Sequence, residues 1–243
     1  MVIYDSSALA KSLTTYFENY NKLLTREDLP SKLSLQPVVL NIPDLGPTFM
    51  VLYVWNGLNT DDAKRWLSLV SGLAPVIQSD VRTKTPLIFL DELTKMIPST
   101  TFGGSQTVSL AKYTPQAISI IAKHLPLMPH DPCTAFTIHP LSGPSCRPPL
   151  PDSVWRHREP HFMVEILGMV SSQEACEASQ DWAKHFRNEL KEVEGVLPGT
   201  YFSLTAKENI DLEKIYGEHL GELMALKEEY DPNRVFKRAV PQL

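Results

Sequence analysis

Cysteine is scarce in this 243-residue chain. The three present, Cys133, Cys146 and Cys176, are odd in number and show no C-x-x-C spacing. That argues against a disulfide framework and a thiolate metal site, and it fits a reducing compartment. Basic runs are absent too: 23 Lys+Arg stand against 28 Asp+Glu, a net charge of -5. Such a chain is a poor partner for nucleic acid or an anionic membrane. The longest apolar run, Phe49 to Trp55, falls far below the ~20 residues of a membrane helix. The opening MVIYDSSALAKSL lacks the basic and continuous apolar regions of a signal peptide, so a cytoplasmic protein is expected. Glycine-rich phosphate loops are missing: there is no G-x-G-x-x-G, only the Gly103-Gly104 pair. No G-x-S-x-G occurs either, and the GPSC around Ser145 is a poor substitute. No helical H-x-x-x-H and no acidic cluster around a histidine suggests a metal, so none is expected.

What remains is an ordinary globular composition, 43% hydrophobic and 21% charged, long enough for one large domain or two small ones. Between Ser6 and Leu24 the apolar positions Leu9, Leu13, Tyr16, Phe17, Tyr20 and Leu24 recur at threes and fours, which predicts an amphipathic helix. Segments 33–41 and 48–56 read as strands split by the turn-forming IPDLGP. Asn59 or Thr60 caps a helix running to about Leu73, and a strand follows near 75–83. With a short strand at 2–4, the order is β-α-β-β-α-β. After a helix at 86–97 the same order is expected again: strand 104–110, helix 115–125, strand 133–139, a Pro-rich excursion over 140–151, strand 156–167, helix 173–192 and strand 199–204. A last helix, 211–229, stops at Tyr230-Asp231-Pro232 because proline cannot continue it. The expected fold class is therefore α+β: tandem ferredoxin-like units with an antiparallel sheet, helices on one face and a C-terminal helix. The units are placed at 1–97 and 98–205, and the helix and tail at 206–243.

A ferredoxin-like sheet leaves one face free, and so much apolar surface is not normally left wet. A sister sheet, a second copy of the chain or a small-molecule ligand would cover it, so a homodimer is one expectation and a binding cavity another. In strand 48–56, Phe49, Tyr53 and Trp55 share one face while Met50, Leu52 and Val54 share the other. The aromatic set supplies the candidate pocket wall, against the alternative that it is core. His139 ends the strand TAFTIH just before Pro140, where a cavity can open, and Thr137 on that strand joins it as a substrate-binding candidate. His161 and Glu165 have equal parity on strand 156–167, so the two can form an acid–base couple. The alternative is a structural ion pair of Glu165 with Arg156 or Arg158.

The C-terminal stretch GTYFSLTAKENIDLEKIYGEHLGELMALKEEYDPNRVF resembles the end of the berberine-bridge-enzyme-like FAD-linked oxidases of the vanillyl-alcohol-oxidase superfamily. The resemblance rests on Tyr201, Tyr216-Gly217, Leu220, Leu223, Leu226-Lys227, Tyr230-Asp231-Pro232 and Phe236. A second patch, Val154-Trp155-Arg156-His157-Arg158, is similar to the family's T-A-F-x-H-R segment. The resemblance implies a substrate domain. It also places Tyr201 at the tyrosine of a Y-x-N motif, where it would act as a base or hydrogen-bond donor. Ser203 stands where the family has asparagine and becomes a substrate-binding candidate. The family's flavin-binding domain has no counterpart in these residues, so no cofactor is expected. The resulting expectation is a cofactor-independent cyclase or isomerase, of pericyclase type, acting on an aromatic or polyketide-like intermediate by preorganisation and hydrogen bonding. The substrate subunit of a split FAD-dependent oxidoreductase and a non-catalytic small-molecule binder stand as alternatives.

Overall fold

The computed structural model describes residues 1–42, 44–96, 100–143, 146–147, 154–155 and 158–238. Its first helix, α1 (Leu9–Leu24), buries Leu9, Leu13, Tyr16, Phe17 and Tyr20 of the stripe its spacing predicts, with Leu23 buried and Leu24 only half-buried at its end. In α2 (Thr60–Ser71) the Asn59 side chain accepts from the amides of Asp61 and Asp62, while Asp61 and Asp62 complement the positive end of the helix. Thr114 caps α4 (Pro115–His124) in the same way, with proline at the first helical position. Helices α3 (Pro86–Met96) and α5 (Cys176–Lys191) complete the set before the C-terminal segment.

Seven strands form one antiparallel sheet: β1 (Val2–Tyr4), β2 (Leu33–Ile42), β3 (Gly46–Trp55), β4 (Val76–Ser79), β5 (Phe102–Leu110), β6 (Ala135–Leu141) and β7 (His161–Val170). Their order is β4-β1-β3-β2-β6-β7-β5. The first four make the ferredoxin-like arrangement, and β6-β7-β5 is the matching order of a second unit short of its last strand. The halves join edge to edge, β2 pairing β6 through Val38↔Thr137, Val39↔Phe136 and Leu40↔Ala135. This merger satisfies the backbone groups of two edge strands at once.

One face is covered by helices. Tyr4, Tyr16 and Phe49 meet with ring centroids 5.0–5.3 Å apart, and Phe136 stacks on Phe186 of α5. At Gly168 a Cβ would lie 2.8 Å from Ala183 Cβ and 2.9 Å from the Ser179 carbonyl, so only glycine lets α5 sit this close to β7. The Tyr16 hydroxyl is fully buried and has no hydrogen-bond partner among the described residues. Burial pushes its pKa up. Leaving such a hydroxyl unsatisfied costs about 1–3 kcal/mol. Tyr16→Phe is therefore expected to raise the thermal midpoint by about 2–6 °C, read by calorimetry; a fall would show that the hydroxyl has a partner.

Four expected elements are corrected. The strand at 199–204 is absent: after Leu197 N–H bonds the Ser109 carbonyl at 2.9 Å, Pro198 has no donor and Gly199 takes φ +82°, so the chain leaves the ladder and turns through 3₁₀ at Phe202–Leu204. The strand expected at 156–167 begins at His161, after Pro160, and runs on to Val170. The strand at 75–83 is only Val76–Ser79. The helix at 211–229 is split into α6 (Leu212–Tyr216) and α7 (Leu220–Tyr230), because Gly217 takes φ +55° between them. Arg156, His157, Ser145 and half of the Pro-rich excursion lie outside the described residues.

Candidate functional site

Strand alternation sets Gln36 and Val38 of β2, Thr137 and His139 of β6, Glu165 of β7 and Thr107 of β5 on the face opposite the helices. The rows Val38↔Thr137↔Glu165↔Thr107 lie in register across four strands. At their centre is a polar chain. The Gln36 amide donates one N–H to Thr137 Oγ1 at 2.9 Å and the other to His139 Nδ1 at 3.3 Å. With Nδ1 accepting, the ring proton sits on Nε2, which donates to Glu165 Oε2 at 3.1 Å. The partners of the imidazole thus fix its tautomer and its orientation.

Glu165 is 7% exposed, and a carboxylate this buried is costly unless hydrogen-bonded. His139 offsets that cost through Oε2, leaving Oε1 with no hydrogen bond among the described residues. Half-buried His139 connects the pair to the open side of the sheet. Apolar residues flank it: Met50, Leu52 and Val54 of β3, and Met163 and Leu167 of β7, occupy the same face by alternation. A flat molecule could lie there with a hydroxyl or carbonyl against the dyad. Among the described residues no group of three or more His, Cys, Asp or Glu side chains could hold a metal ion, and no helix is long and apolar enough to cross a membrane.

The structure brings His139, Glu165 and Thr137 together, as three of the expected residues, but changes the pairing. His161 shares the face of Glu165, yet four strand residues separate them by about 13 Å, and His161 Nδ1 lies 2.7 Å from the Glu159 carbonyl. The carboxylate's partner is His139, across one ladder step. The aromatic pocket wall is likewise corrected. Phe49 is fully buried beneath α1, the Tyr53 hydroxyl donates to the Ala63 carbonyl of α2 at 2.7 Å, and Trp55 packs against the same core. All three face helices, because β3 is apolar on both sides and the larger set fills the thicker layer. Tyr201 is 40% exposed, its ring edge-on to Trp155 at 5.9 Å and stacked with Phe202, and Ser203 is exposed in the same turn. That turn is tied to the open face by Ser105, whose hydroxyl donates to the Leu204 carbonyl at 2.6 Å, one same-face position along β5 from Thr107.

Gln36 was not anticipated. Its signal was a polar side chain inside LSLQPVVLNI, a residue too common on a solvent-facing strand position to stand out without its neighbours.

No known protein-family profile matches the chain. It is 24% identical over 211 residues to the FAD-linked oxidoreductase aurO of Gibberella zeae, covering 86% of this chain and 41% of that protein. Among solved structures, aclacinomycin oxidoreductase superposes with a TM-score of 0.72 at 16% identity, covering 96% of this chain and 52% of that one. The berberine-bridge-enzyme-like protein 1 of Physcomitrella patens gives 0.69 at 11% identity, over 92% of this chain and 49% of that one. These identities show a shared fold. The chain spans about two fifths to one half of the length of the proteins it matches.

Proposed function

We propose that this chain is the substrate-binding part of an FAD-linked oxidoreductase, acting on a small hydroxylated aromatic molecule laid against the open sheet face. The observation that carries the reading is the His139–Glu165 dyad, held by Gln36 at the centre of an apolar sheet surface, with one carboxylate oxygen left without a hydrogen bond among the described residues. The comparisons favour this reading over the cofactor-independent cyclase or isomerase expected from the sequence, since the proteins matched are flavin-linked oxidoreductases and berberine-bridge-enzyme-like proteins.

The chain's own residues do not fit the pyrophosphate of FAD. Among the described strand-to-helix turns only the one at 56–59 contains glycine, the single Gly57, so none offers the run of free backbone N–H groups that grips phosphates. The dinucleotide would be held by a further stretch of polypeptide. Helix α7 and the residues after it are suited to meet such a stretch: α7 has no buried residue, while Leu226, Tyr230, Val235 and Phe236 are exposed. Asp231 fixes this surface, taking hydrogen bonds from Lys227 Nζ and from the amides of Val235 and Phe236.

The chemistry left to these residues is proton handling. Glu165 Oε1 takes the proton of a substrate hydroxyl, while the N–H of His139 steadies the carboxylate. Gln36 keeps that N–H aimed at Oε2, and the apolar rows exclude water from the reacting carbon.

The test is a visible absorbance spectrum of the affinity-tagged protein purified from its source, with mass spectrometry of the polypeptide that carries the tag and any that accompanies it. Flavin absorbance is expected, on a longer polypeptide or a companion chain. A flavin-free preparation that nevertheless converts substrate would overturn the proposal in favour of the cyclase or isomerase. A flavin-free preparation that binds small molecules without converting them would overturn it in favour of a carrier.

A further inference from the structure

At the β5 edge, one strand over from Glu165, the chain bounds a cavity. The segment from Gly195 to Lys214 wraps that edge: Leu204 is bonded by Ser105 on the open face, and Asn209 Nδ2 donates to Gln106 Oε1 at 2.7 Å. Between this wrap and the C-terminal half of α5 lies a cavity of about 770 Å³.

Its polar lining is unusual in being unsatisfied. Arg187, Thr107 and Thr200 all line it, and Arg187 Nε and Thr200 Oγ1 are buried with no hydrogen-bond partner among the described residues. Buried polar atoms are almost always bonded, so two orphans on one cavity's lining residues point to a group that belongs there. Arg187 supplies the charge. Among the described residues its hydrogen-bond partner is the neutral side-chain oxygen of Asn188, 3.2 Å from Nη1, and burial lowers its pKa while Glu208 partly compensates. A guanidinium so placed is short of an anion.

The charge balance sets the anion's valence. Three cations line the cavity, Arg187, Lys191 and Lys214, against two carboxylates, Glu208 and Asp211. Lys214 and Asp211 neutralise each other at 3.0 Å. Setting Glu208 against one of the remaining cations leaves one positive charge, which a monoanion would match and a phosphate dianion would exceed. The rest of the wall includes Val193, Val196 and Ile210, which suit an apolar body.

We propose that this cavity binds a small monocarboxylate with an apolar, ring-like body, Arg187 providing the countercharge and the Thr200 hydroxyl hydrogen-bonding the carboxylate. The site stands on its own residues and does not depend on the flavin reading. It separates a second ligand, or the acidic tail of a substrate reaching round the edge, from the proton chemistry at Glu165.

Titration calorimetry of the intact protein with naphthoate tests this, using neutral naphthamide and inorganic phosphate as comparators. Naphthoate is expected to bind with a Kd of about 1 mM or tighter, and naphthamide about 10-fold more weakly or worse. Arg187→Met should weaken naphthoate by about 10- to 100-fold and Thr200→Val by about 3- to 10-fold. Lys184→Met, an exposed change on the same helix but outside the cavity, should leave binding unchanged. Thr200→Val lies outside regular structure and carries the test if Arg187→Met fails to fold. The proposal is overturned if naphthoate does not bind, if naphthamide binds equally well, if phosphate binds more tightly than naphthoate, or if a folded variant at either position keeps full affinity.

Discussion

On the proposed reading as the substrate-binding part of an FAD-linked oxidoreductase, Glu165→Gln should reduce kcat for substrate oxidation by roughly 10²- to 10⁴-fold, with KM little changed. Glutamine keeps the shape of the side chain, and its amide oxygen still accepts from His139 Nε2, whose present bond to the carboxylate is 3.1 Å. It cannot take a proton at neutral pH. The fold should therefore survive, with a thermal midpoint close to the parent's, because the buried carboxylate is replaced by a neutral group of equal volume. His139→Ala is expected to behave differently. It removes the one hydrogen bond that the described residues give a carboxylate that is 7% exposed, so stability falls together with turnover. A Glu165→Gln enzyme with undiminished kcat would remove the dyad from the mechanism, whatever the fate of the flavin reading.

Phe49→Ala should lose about 3–5 kcal/mol of stability, a large share of the roughly 5–15 kcal/mol that holds a typical domain together. The ring is wholly buried, stacked on Tyr4 at 5.1 Å and edge-on to Tyr16 at 5.0 Å, so its removal opens a cavity at the point where β1, β3 and α1 meet. At this chain length the loss corresponds to a midpoint lower by about 6–20 °C. Chemical denaturation resolves the same quantity through its midpoint. A pocket-wall residue would give the opposite pattern, weaker substrate binding with an unchanged midpoint. Observing that pattern would put Phe49 back on the ligand side of the sheet.

The contrast between these two positions shows how far the sequence reaches. The helix stripe from Leu9 to Tyr20 and the cap at Asn59 were legible because they are local: spacing, hydrogen-bond donors and acceptors within four residues decide them. The repeated β-α-β-β-α-β order, and with it an α+β fold, followed from the same kind of signal. A strand's period of two says which residues share a face, and for β3 it correctly grouped Phe49, Tyr53 and Trp55 apart from Met50, Leu52 and Val54. It says nothing about which group meets the helices when both are apolar.

The missing last strand of the second unit was also beyond a local reading. Residues 199–204 have strand-like composition, but Pro198 and the positive φ of Gly199 turn the chain off the ladder after Leu197. The turn then finds Ser105 on the open face. The histidine–carboxylate pair was misassigned for a related reason. His161 and Glu165 are near in sequence and equal in parity, whereas His139 and Glu165 are 26 positions apart and adjacent only because β6 pairs β7 with Thr137 opposite Glu165. Gln36 stands further off still, brought to His139 by the edge-to-edge pairing of β2 with β6.

The sequence by itself thus determined most of the elements, their order and the two faces of each strand, since these rest on interactions within a few residues. Tertiary structure alone decided which face the helices cover, how the two half-sheets join and which side chains meet in the dyad. Those outcomes depend on register and on competition for the core between distant segments, and neither is recorded in the period of any one strand.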